Sequence, residues 1–180
     1  ETHPILTARS NLEERDDAVI ATIDGIIDIK GSTVSLKEVL IIEENVDYHT
    51  GNIIYSGDVV IKGGVQEGFS IKTGGTVYAE KTLDASNLEC EGNLYVKQGI
   101  IGRKEGRIKV GKVVQARFVE NCLIEAGGLV EISTGIVRSF IYTCGKIQCG
   151  PKCIVVGGTF FAQDGFRACQ IGTETSPKTE

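Results

Sequence analysis

The sequence predicts an all-β protein built as a right-handed parallel β-solenoid of about seven coils, each 13–20 residues long. Three observations predict this fold. A nine-residue unit with central glycine recurs, apolar and polar residues alternate on both sides of the glycine, and no helical period competes after residue 50. Sequential parallel coils connected in this way are expected to be right-handed.

The repeated unit occurs seven times, with starts 18, 17, 20, 16, 17 and 13 residues apart. Alternation with a period of two on each side of a break predicts two short strands, each with one buried face. A looser third segment, such as GGVQEGF, then returns the chain to the next copy. The copies are IIYSGDVVI from Ile53, IKTGGTVYA from Ile71, LECEGNLYV from Leu88, IKVGKVVQA from Ile108, IEAGGLVEI from Ile124, IYTCGKIQC from Ile141 and IVVGGTFFA from Ile154.

The first, third, seventh and ninth positions of the copies are almost always apolar or small, so we expect their side chains to point inward. One coil alone has nothing to bury these side chains against, and stability must come from stacked neighbours. In the second copy the inward positions hold Ile71, Thr73, Val77 and Ala79, and in the seventh Ile154, Val156, Phe160 and Ala162.

Glycine occupies the fourth or fifth position of every copy, where the chain must turn between the two strands. Because glycine adopts φ > 0 without steric cost, we expect these corners to use that conformation. The predicted corner glycines are Gly57, Gly74, Gly75, Gly92, Gly111, Gly127, Gly128, Gly145, Gly157 and Gly158.

The start of the chain differs in charge from the remainder. Residues 1–50 carry eleven acidic and four basic side chains, whereas residues 51–180 carry thirteen and fifteen. Hairpin signals at Asp24-Gly25 and Gly31 predict strands in this acidic part. We expect a small β-rich cap region at 1–46 that covers one open sheet edge, a solenoid at 47–173 with FRACQIGTE as a partial eighth coil, and a flexible tail at 174–180.

Several segments resemble the flagellar assembly protein A family. They are VDYHTGNIIYSGDVVIKGGVQEGFSIKTGGTVYAE, GGLVEI, CIVVGGTFFAQDG and CQIGTE, with ATIDGIIDIKG resembling the segment before its β-solenoid domain, long classed as a domain of unknown function. The resemblance covers nearly the whole chain in order. It implies a bacterial cytoplasmic protein linked to flagellar assembly or placement, which acts as a scaffold or regulatory module through protein contacts. It supplies no active-site residues.

The sequence carries few signals of catalysis. Its two histidines, His3 and His49, and its 13–20-residue spacings do not fit the hexapeptide repeats of acyltransferase solenoids. A carbohydrate-active β-helix enzyme would need clustered carboxylates, whereas Asp58, Asp84 and Asp164 fall in different coils. We therefore expect neither enzymatic activity nor a cofactor.

The six cysteines allow three interpretations: buried or unreactive thiols, a metal site, and disulfides. Cys90 and Cys149 occupy inward positions, where a thiol acts as a small hydrophobic group. Cys144, Cys149 and Cys153 form C-x4-C-x3-C, and Cys169 follows about one coil later, so four thiolates could bind zinc or an iron–sulfur cluster. The spacing matches no standard metal motif, and buried reduced thiols are the favoured interpretation.

A basic run is the candidate binding segment. It supplies positive charge for an acidic protein partner, although a solvated outer surface is the favoured interpretation. No aromatic residues interleave with the run, so nucleic acid is not expected to bind. The candidate residues are Arg103, Lys104, Arg107, Lys109, Lys112 and Arg117.

Alternatives to a protein-binding scaffold follow from the same repeat. A bactofilin-like solenoid would polymerise end to end, and the outer faces or sheet ends could also form a homo-oligomer. No apolar run reaches the ~18 residues needed to span a membrane. With no secretory signal pattern, we expect a cytoplasmic location.

Overall fold

The computed structural model describes residues 7–9, 12–15, 18–22, 25–31, 33–84, 87–103, 106–172 and 178–180, to which the following statements refer. Every secondary-structure element formed by these residues is a β-strand, which confirms the all-β class. In the described part of the chain, no helix is long and apolar enough to cross a membrane. The strands are β1 (Thr7–Arg9), β2 (Leu12–Arg15), β3 (Ala18–Ala21), β4 (Gly25–Lys30), β5 (Thr33–Ile42), β6 (Ile53–Tyr55), β7 (Asp58–Ile61), β8 (Ser70–Thr73), β9 (Val77–Ala79), β10 (Leu83–Asp84), β11 (Asn87–Cys90), β12 (Leu94–Ile101), β13 (Arg107–Val110), β14 (Val114–Glu120), β15 (Leu123–Ala126), β16 (Val130–Thr143), β17 (Ile147–Cys149), β18 (Ile154–Ala162), β19 (Phe166–Arg167) and β20 (Gln170–Ile171).

The chain divides into two units, residues 1–40 and residues 41–180. In the first unit β2 and β3 form one antiparallel pair, and β4 and β5 form another, while β1 pairs with β5 in parallel. Gly31, with φ of 60°, lies in the turn between β4 and β5, which confirms the hairpin predicted there. Asp24 of the other hairpin signal lies outside the described residues. The capping role of this region stays a prediction.

The second unit is a parallel β-solenoid of seven coils, as predicted. Each coil passes through three faces, which we call the first, second and third face in chain order. The first face holds β6, β8, β11, β13, β15 and the ends of β16 and β18. The second holds β7, β9, the starts of β12, β14 and β16, then β17 and β19. The third holds β10, the end of β12, the end of β14, the middle of β16, the start of β18, and β20.

The core consists of the inward side chains that the alternation predicts. In the first six copies every predicted inward residue is buried except Ile53 and Tyr55, which are half-buried in the first coil. The strand register stacks equivalent residues, so that Ile71 lies beside Leu88, and Leu88 beside Ile108. Burial of one such side chain contributes roughly 1.5–3 kcal/mol, which is largely offset by the entropy of ordering the chain.

The third face is more regular than the sequence predicts. A single inward column of aliphatic side chains runs along it, and most of its members are almost completely buried. The looser third segment of each repeat therefore closes the core on its remaining side. The column contains Val46, Val65, Leu83, Ile100, Val119, Ile136, Val155 and, at the open end, Ile171.

The predicted inward positions at the start of the seventh copy are wrong. Ile154 is 41% exposed, whereas Val155 is completely buried, so the alternation runs in the opposite phase. The reason is that Ile154–Val156 is the third-face strand of the sixth coil, paired with Gly135–Val137. Gly157 and Gly158 then join the third face to the first, with φ of 62° and 104°.

The seventh coil consequently begins later than predicted. Phe160 and Ala162 pair with Ile141 and Thr143 in the first face, which makes the last spacing 19 residues instead of 13. The segment FRACQIGTE does not start an eighth coil, because β19 and β20 complete the seventh on its second and third faces.

The corners between the first and second faces do not use the predicted conformation. Of the predicted corner glycines, only Gly157 and Gly158 have φ > 0, and they lie at a different corner. The other corners require glycine because successive coils approach closely. A Cβ atom on Gly74 would lie 2.7 Å from the carbonyl oxygen of Ser56, and one on Gly145 would lie 2.7 Å from the carbonyl carbon of Gly128.

Buried threonines link some of these corners to the coil before. The Thr143 hydroxyl donates to the carbonyl oxygen of Gly128 and accepts from the Gly145 N–H at 3.1 Å. Thr73 makes the same two bonds, to the Gly57 carbonyl and from the Gly75 N–H. Each threonine therefore satisfies two backbone groups where the ladder is interrupted.

Residues 178–180 lie beside the first-face edge of the seventh coil. The Glu180 N–H donates to the Gly158 carbonyl at 3.0 Å, and the Phe160 N–H donates to the Glu180 carbonyl at 2.9 Å. Residues 174–177 of the tail predicted to be flexible lie outside the described residues, so its flexibility stays a prediction.

Candidate functional site

One outward column of the first face changes its chemistry along the solenoid. It starts with an aliphatic residue, continues with four charges of alternating sign, and ends with two aromatic residues. Because the coils are in register, each member lies about 4.8 Å from the next. We call this set the outer column; in coil order it contains Ile54, Lys72, Glu89, Lys109, Glu125, Tyr142 and Phe161.

The charged part of the outer column is paired around Glu89. Its carboxylate lies 3.0 Å from the Lys72 ammonium and 3.6 Å from that of Lys109. The hydrogen bond and positive charge of Lys72, with a smaller contribution from Lys109, hold the pKa of Glu89 below its ordinary value. All three side chains are well exposed, so these pairs contribute little to stability.

Aromatic side chains dominate the C-terminal end of the first face. Phe140, Tyr142 and Phe161 are 49%, 40% and 62% exposed, and we call these three residues the aromatic surface. Tyr142 pairs with Phe161 across adjacent coils, while Phe140 lies two residues before Tyr142 on the same strand. A shallow groove of about 490 Å³ next to Tyr142 and Phe161 has a mainly apolar lining. Exposed large apolar groups grouped in this way are typical of interaction surfaces.

Glu125 gives the groove a negative charge. It lies directly before Tyr142 in the outer column and lines the groove with Tyr142, Phe161 and Lys109. Lys109, the next cation in the column, pairs with Glu89 on its other side. Within the described residues, Glu125 forms no ion pair. The groove thus combines apolar aromatic groups with one carboxylate available to a cation.

The second face carries a different groove of about 620 Å³. Tyr78 and Tyr95 stack above it, with ring centroids 5.1 Å apart and an interplanar angle of 20°. Partial burial, with smaller contributions from Tyr95 and Asp58, raises the pKa of the Tyr78 hydroxyl. Because the two rings cover each other's faces, they offer less surface to a ligand than the aromatic surface does.

The predicted basic residues that the structure describes do not all lie on one face. Arg103 follows β12 and donates two hydrogen bonds to Asp84 of β10, on the third face of the preceding coil. Its Nε and Nη2 atoms lie 2.6 and 2.7 Å from the two carboxylate oxygens of Asp84. Arg107 and Lys109 lie on the first face, and Arg117 follows the second-face part of β14.

Lys112 is exposed near the corner between the first and second faces. Lys104 lies outside the described residues. Binding of an acidic partner at this run stays a prediction.

The cysteines divide between core and surface. Cys90, Cys122, Cys149 and Cys153 are buried, while Cys144 and Cys169 are exposed. Burial raises the pKa of Cys90, Cys122 and Cys149 to about 12, with a hydrogen bond to Cys153 adding to the effect at Cys149. In the described part of the chain, no three His, Cys, Asp or Glu side chains are arranged to hold a metal ion.

The three aspartates considered for sugar chemistry lie in different places. Asp58 accepts a hydrogen bond from the Thr76 N–H on the second face, Asp84 pairs with Arg103 on the third, and Asp164 follows β18 in the seventh coil. Asp58 and Asp84 thus have different partners on different faces, and Asp164 lies far from both along the stack.

Sequence reasoning missed the aromatic surface. The alternation already placed Tyr142 and Phe161 at outward, even positions of their copies. The wrong phase of the seventh copy concealed that the two residues are neighbours. A search for large apolar residues at the outward, even positions would have identified Tyr142, since those positions otherwise hold mainly polar groups.

No curated protein and no solved structure matched the chain. The sequence model of the flagellar assembly protein A β-solenoid domain matched residues 38–180, which is most of the chain and the whole of the solenoid. The chain therefore belongs to the flagellar assembly protein A β-solenoid domain family.

Proposed function

We propose that this solenoid is a non-enzymatic protein-binding module in flagellar assembly and that its aromatic surface contacts the partner. Family membership supports a role related to flagellar assembly. The observation that carries the proposal is the exposure of Phe140, Tyr142 and Phe161 on two adjacent strands of a parallel sheet. Aromatic residues are enriched at the energetically important centres of protein interfaces.

The partner we propose is a protein segment with apolar side chains and an adjacent lysine or arginine. The apolar side chains would cover Tyr142 and Phe161, and the cation would reach Glu125, which forms no ion pair within the described residues. Such a pair at the edge of an apolar contact fixes orientation more than it adds affinity. This partner is opposite in charge to the acidic partner predicted for the basic run. An acidic partner has less support, because Arg103 and Lys109 already pair with acidic side chains of this chain.

The alternative function is end-to-end polymerisation, as in bactofilin-like solenoids. The observation in its favour is the edge of the seventh coil, where Ile171 of the inward column is 57% exposed. The third alternative, a carbohydrate-active enzyme, has less support because Asp58, Asp84 and Asp164 do not converge. A cytoplasmic location also stays a prediction.

The test compares full-length protein with variants of the aromatic surface. We expect Tyr142→Ala with Phe161→Ala to weaken binding to a purified flagellar partner, first identified by cross-linking, by at least about tenfold. Glu125→Lys should weaken it too. Ile54→Ala is the matched control, because Ile54 is 83% exposed in the same column at the opposite end.

Two outcomes contradict the proposal. Unchanged partner affinity in the Tyr142→Ala, Phe161→Ala variant, with an unaltered circular dichroism spectrum, would mean that the partner binds elsewhere. Filaments of the purified protein in negative-stain images, lost on Ile171→Glu but not on Tyr142→Ala, would favour polymerisation. Gene deletion scored for motility then tests the link with flagella.

A further inference from the structure

Three thiols lie close together at the C-terminal end of the solenoid. Cys149 ends β17, Cys153 precedes β18, and Cys169 precedes β20. Cys149 and Cys153 share a hydrogen bond. The negative charge of a Cys169 thiolate adds to the effect of burial in raising the pKa of Cys153. Cys149 and Cys169 also line one surface depression. The protein-binding proposal does not use any of these residues.

The strand register places Cys153 and Cys169 opposite one another. Ile154 pairs with Gln170 and Val155 with Ile171, so the two cysteines occupy equivalent positions just before their strands. Neighbouring strands are about 4.8 Å apart, which is within the range of roughly 4.4–6.8 Å between the Cα atoms of a disulfide. Both cysteines precede an inward residue by two positions, so their side chains share the inward direction.

The exposure of the two thiols differs. Cys153 is completely buried, whereas Cys169, in the last of the described coils, is exposed. An oxidant can therefore reach Cys169 first, and Cys153 lies beside it as the second thiol. The loop from Gly150 to Lys152 brings the chain from Cys149 to Cys153, with the Cys153 N–H donating to the Gly150 carbonyl at 3.1 Å.

We propose that Cys153 and Cys169 are a redox-responsive pair whose disulfide joins the sixth and seventh coils. The oxidant is a small-molecule disulfide such as oxidised glutathione. The Cys169 thiolate attacks one sulfur of that disulfide, forms a mixed disulfide and releases one thiolate. The sulfur of Cys153 then attacks the Sγ atom of Cys169 and expels the second thiolate, which takes up the Cys153 proton. Two protein thiols are oxidised, and one disulfide is reduced to two thiols.

The disulfide would fix the last coil to the body of the solenoid. Among the described residues, the seventh coil pairs with the sixth coil and, on its first face, with residues 178–180. A cross-link between residues 153 and 169 restricts the unfolded chain and the detachment of this coil. Phe161 of the aromatic surface belongs to the same coil, so oxidation would also restrain that side of the surface.

The sequence makes the cross-link directly measurable. Trypsin cleavage after lysine and arginine leaves each cysteine on its own peptide, with Cys153 on 153–167 and Cys169 on 168–178. We expect full-length protein treated with oxidised glutathione at pH 8 to yield these two peptides joined. The joined peptides should persist in Cys149→Ser and Cys144→Ser but be absent from Cys169→Ala. Oxidation should raise the Tm by several degrees in the wild type and not in Cys169→Ala.

Other products would overturn the proposal. Cross-linked peptides that join 147–152 to 153–167 would show that Cys149 is the partner of Cys153. Glutathione on Cys169 without any joined peptide would show that Cys153 does not complete the reaction. Because Cys169 is exposed, Cys169→Ala is expected to fold, and an equal Tm for this variant and the reduced wild type checks that.

Discussion

The corner glycines illustrate how much a single position reveals at the residue scale. The pattern locates the corners of the first six copies correctly, because a residue without a Cβ stands out among alternating side chains. It does not reveal why glycine is needed there. Most corner glycines have φ < 0, and the requirement comes from the backbone of the preceding coil, which sequence spacing does not show.

Replacing one of these glycines should therefore be costly. A Cβ on Gly145 would lie 2.7, 2.9 and 3.0 Å from three backbone atoms of Gly128. Because the backbone has to shift, we expect Gly145→Ala to lower the free energy of unfolding by roughly 1–3 kcal/mol, measured by urea denaturation.

Gly135→Ala is the control for that measurement. Gly135 lies in β16, and the nearest atom to its added Cβ would be the Ile154 carbonyl oxygen at 3.5 Å, an ordinary contact. We expect Gly135→Ala to leave stability unchanged or to raise it slightly. Equal losses in both variants would show that close contact between coils is not the reason for glycine at the corners.

At the scale of elements, the first two faces could be predicted and the third only in part. Two strands around a glycine give a strong pattern with four inward positions. A third-face strand contributes one inward residue, as with Val119 or Ile136, and one apolar residue defines no period. The signal was nevertheless present, since Val65, Leu83 and Ile100 each follow the ninth position of a copy by four residues.

The last coil shows the limit of matching by composition. IVVGGTFFA has the glycines and the alternation of the repeat, yet its glycines lie at the corner between the third and first faces. Only pairing with the preceding coil distinguishes the two corners. Six copies of the repeat give the architecture, whereas the phase of a terminal copy depends on contacts between coils.

The third face should contribute as much to stability as the others. Ile136 is completely buried between Val119 and Val155 in the inward column. Because truncation leaves a cavity, we expect Ile136→Ala to reduce the free energy of unfolding by roughly 2–5 kcal/mol in urea denaturation. Ile54→Ala, at a position 83% exposed, should change it little. A loss below ~1 kcal/mol for Ile136→Ala would indicate a third face that packs loosely.

For the whole molecule, the fold could be predicted much further than the site. A solenoid repeats its core, so each coil provides the same information again. The aromatic surface occurs once, and its residues become neighbours only when the coils are correctly stacked. The same holds for Cys153 and Cys169, whose proximity depends on the register of the last two coils.

Stability of the whole molecule should fall at alkaline pH. Burial raises the pKa of Cys90, Cys122 and Cys149 to about 12 in the folded protein, above the ordinary value near 8.5 expected of the unfolded chain. Above pH ~9 the unfolded state loses these protons first, so stability present below pH ~9 is lost as the pH rises towards 12.

Urea denaturation with a reductant at pH 8, 9 and 10 measures this loss. Each thiol is expected to contribute a slope of up to about 1.4 kcal/mol per pH unit, so Cys122→Ala should reduce the slope of the wild type by that amount. The variant has a lower stability at pH 8, but only the slope is compared. Parallel curves for the two proteins would contradict the proposed origin of the effect.

The alternating charges of the outer column have a consequence for folding accuracy. Lys72, Glu89, Lys109 and Glu125 meet opposite charges when each coil joins its immediate neighbour. If a coil were skipped during assembly, Lys72 would meet Lys109 and Glu89 would meet Glu125. Nearly identical cores cannot distinguish these two arrangements. Like charges on adjacent strands, however, destabilise the arrangement in which a coil is skipped. The column thus encodes the order of the coils on the outside of a core that repeats.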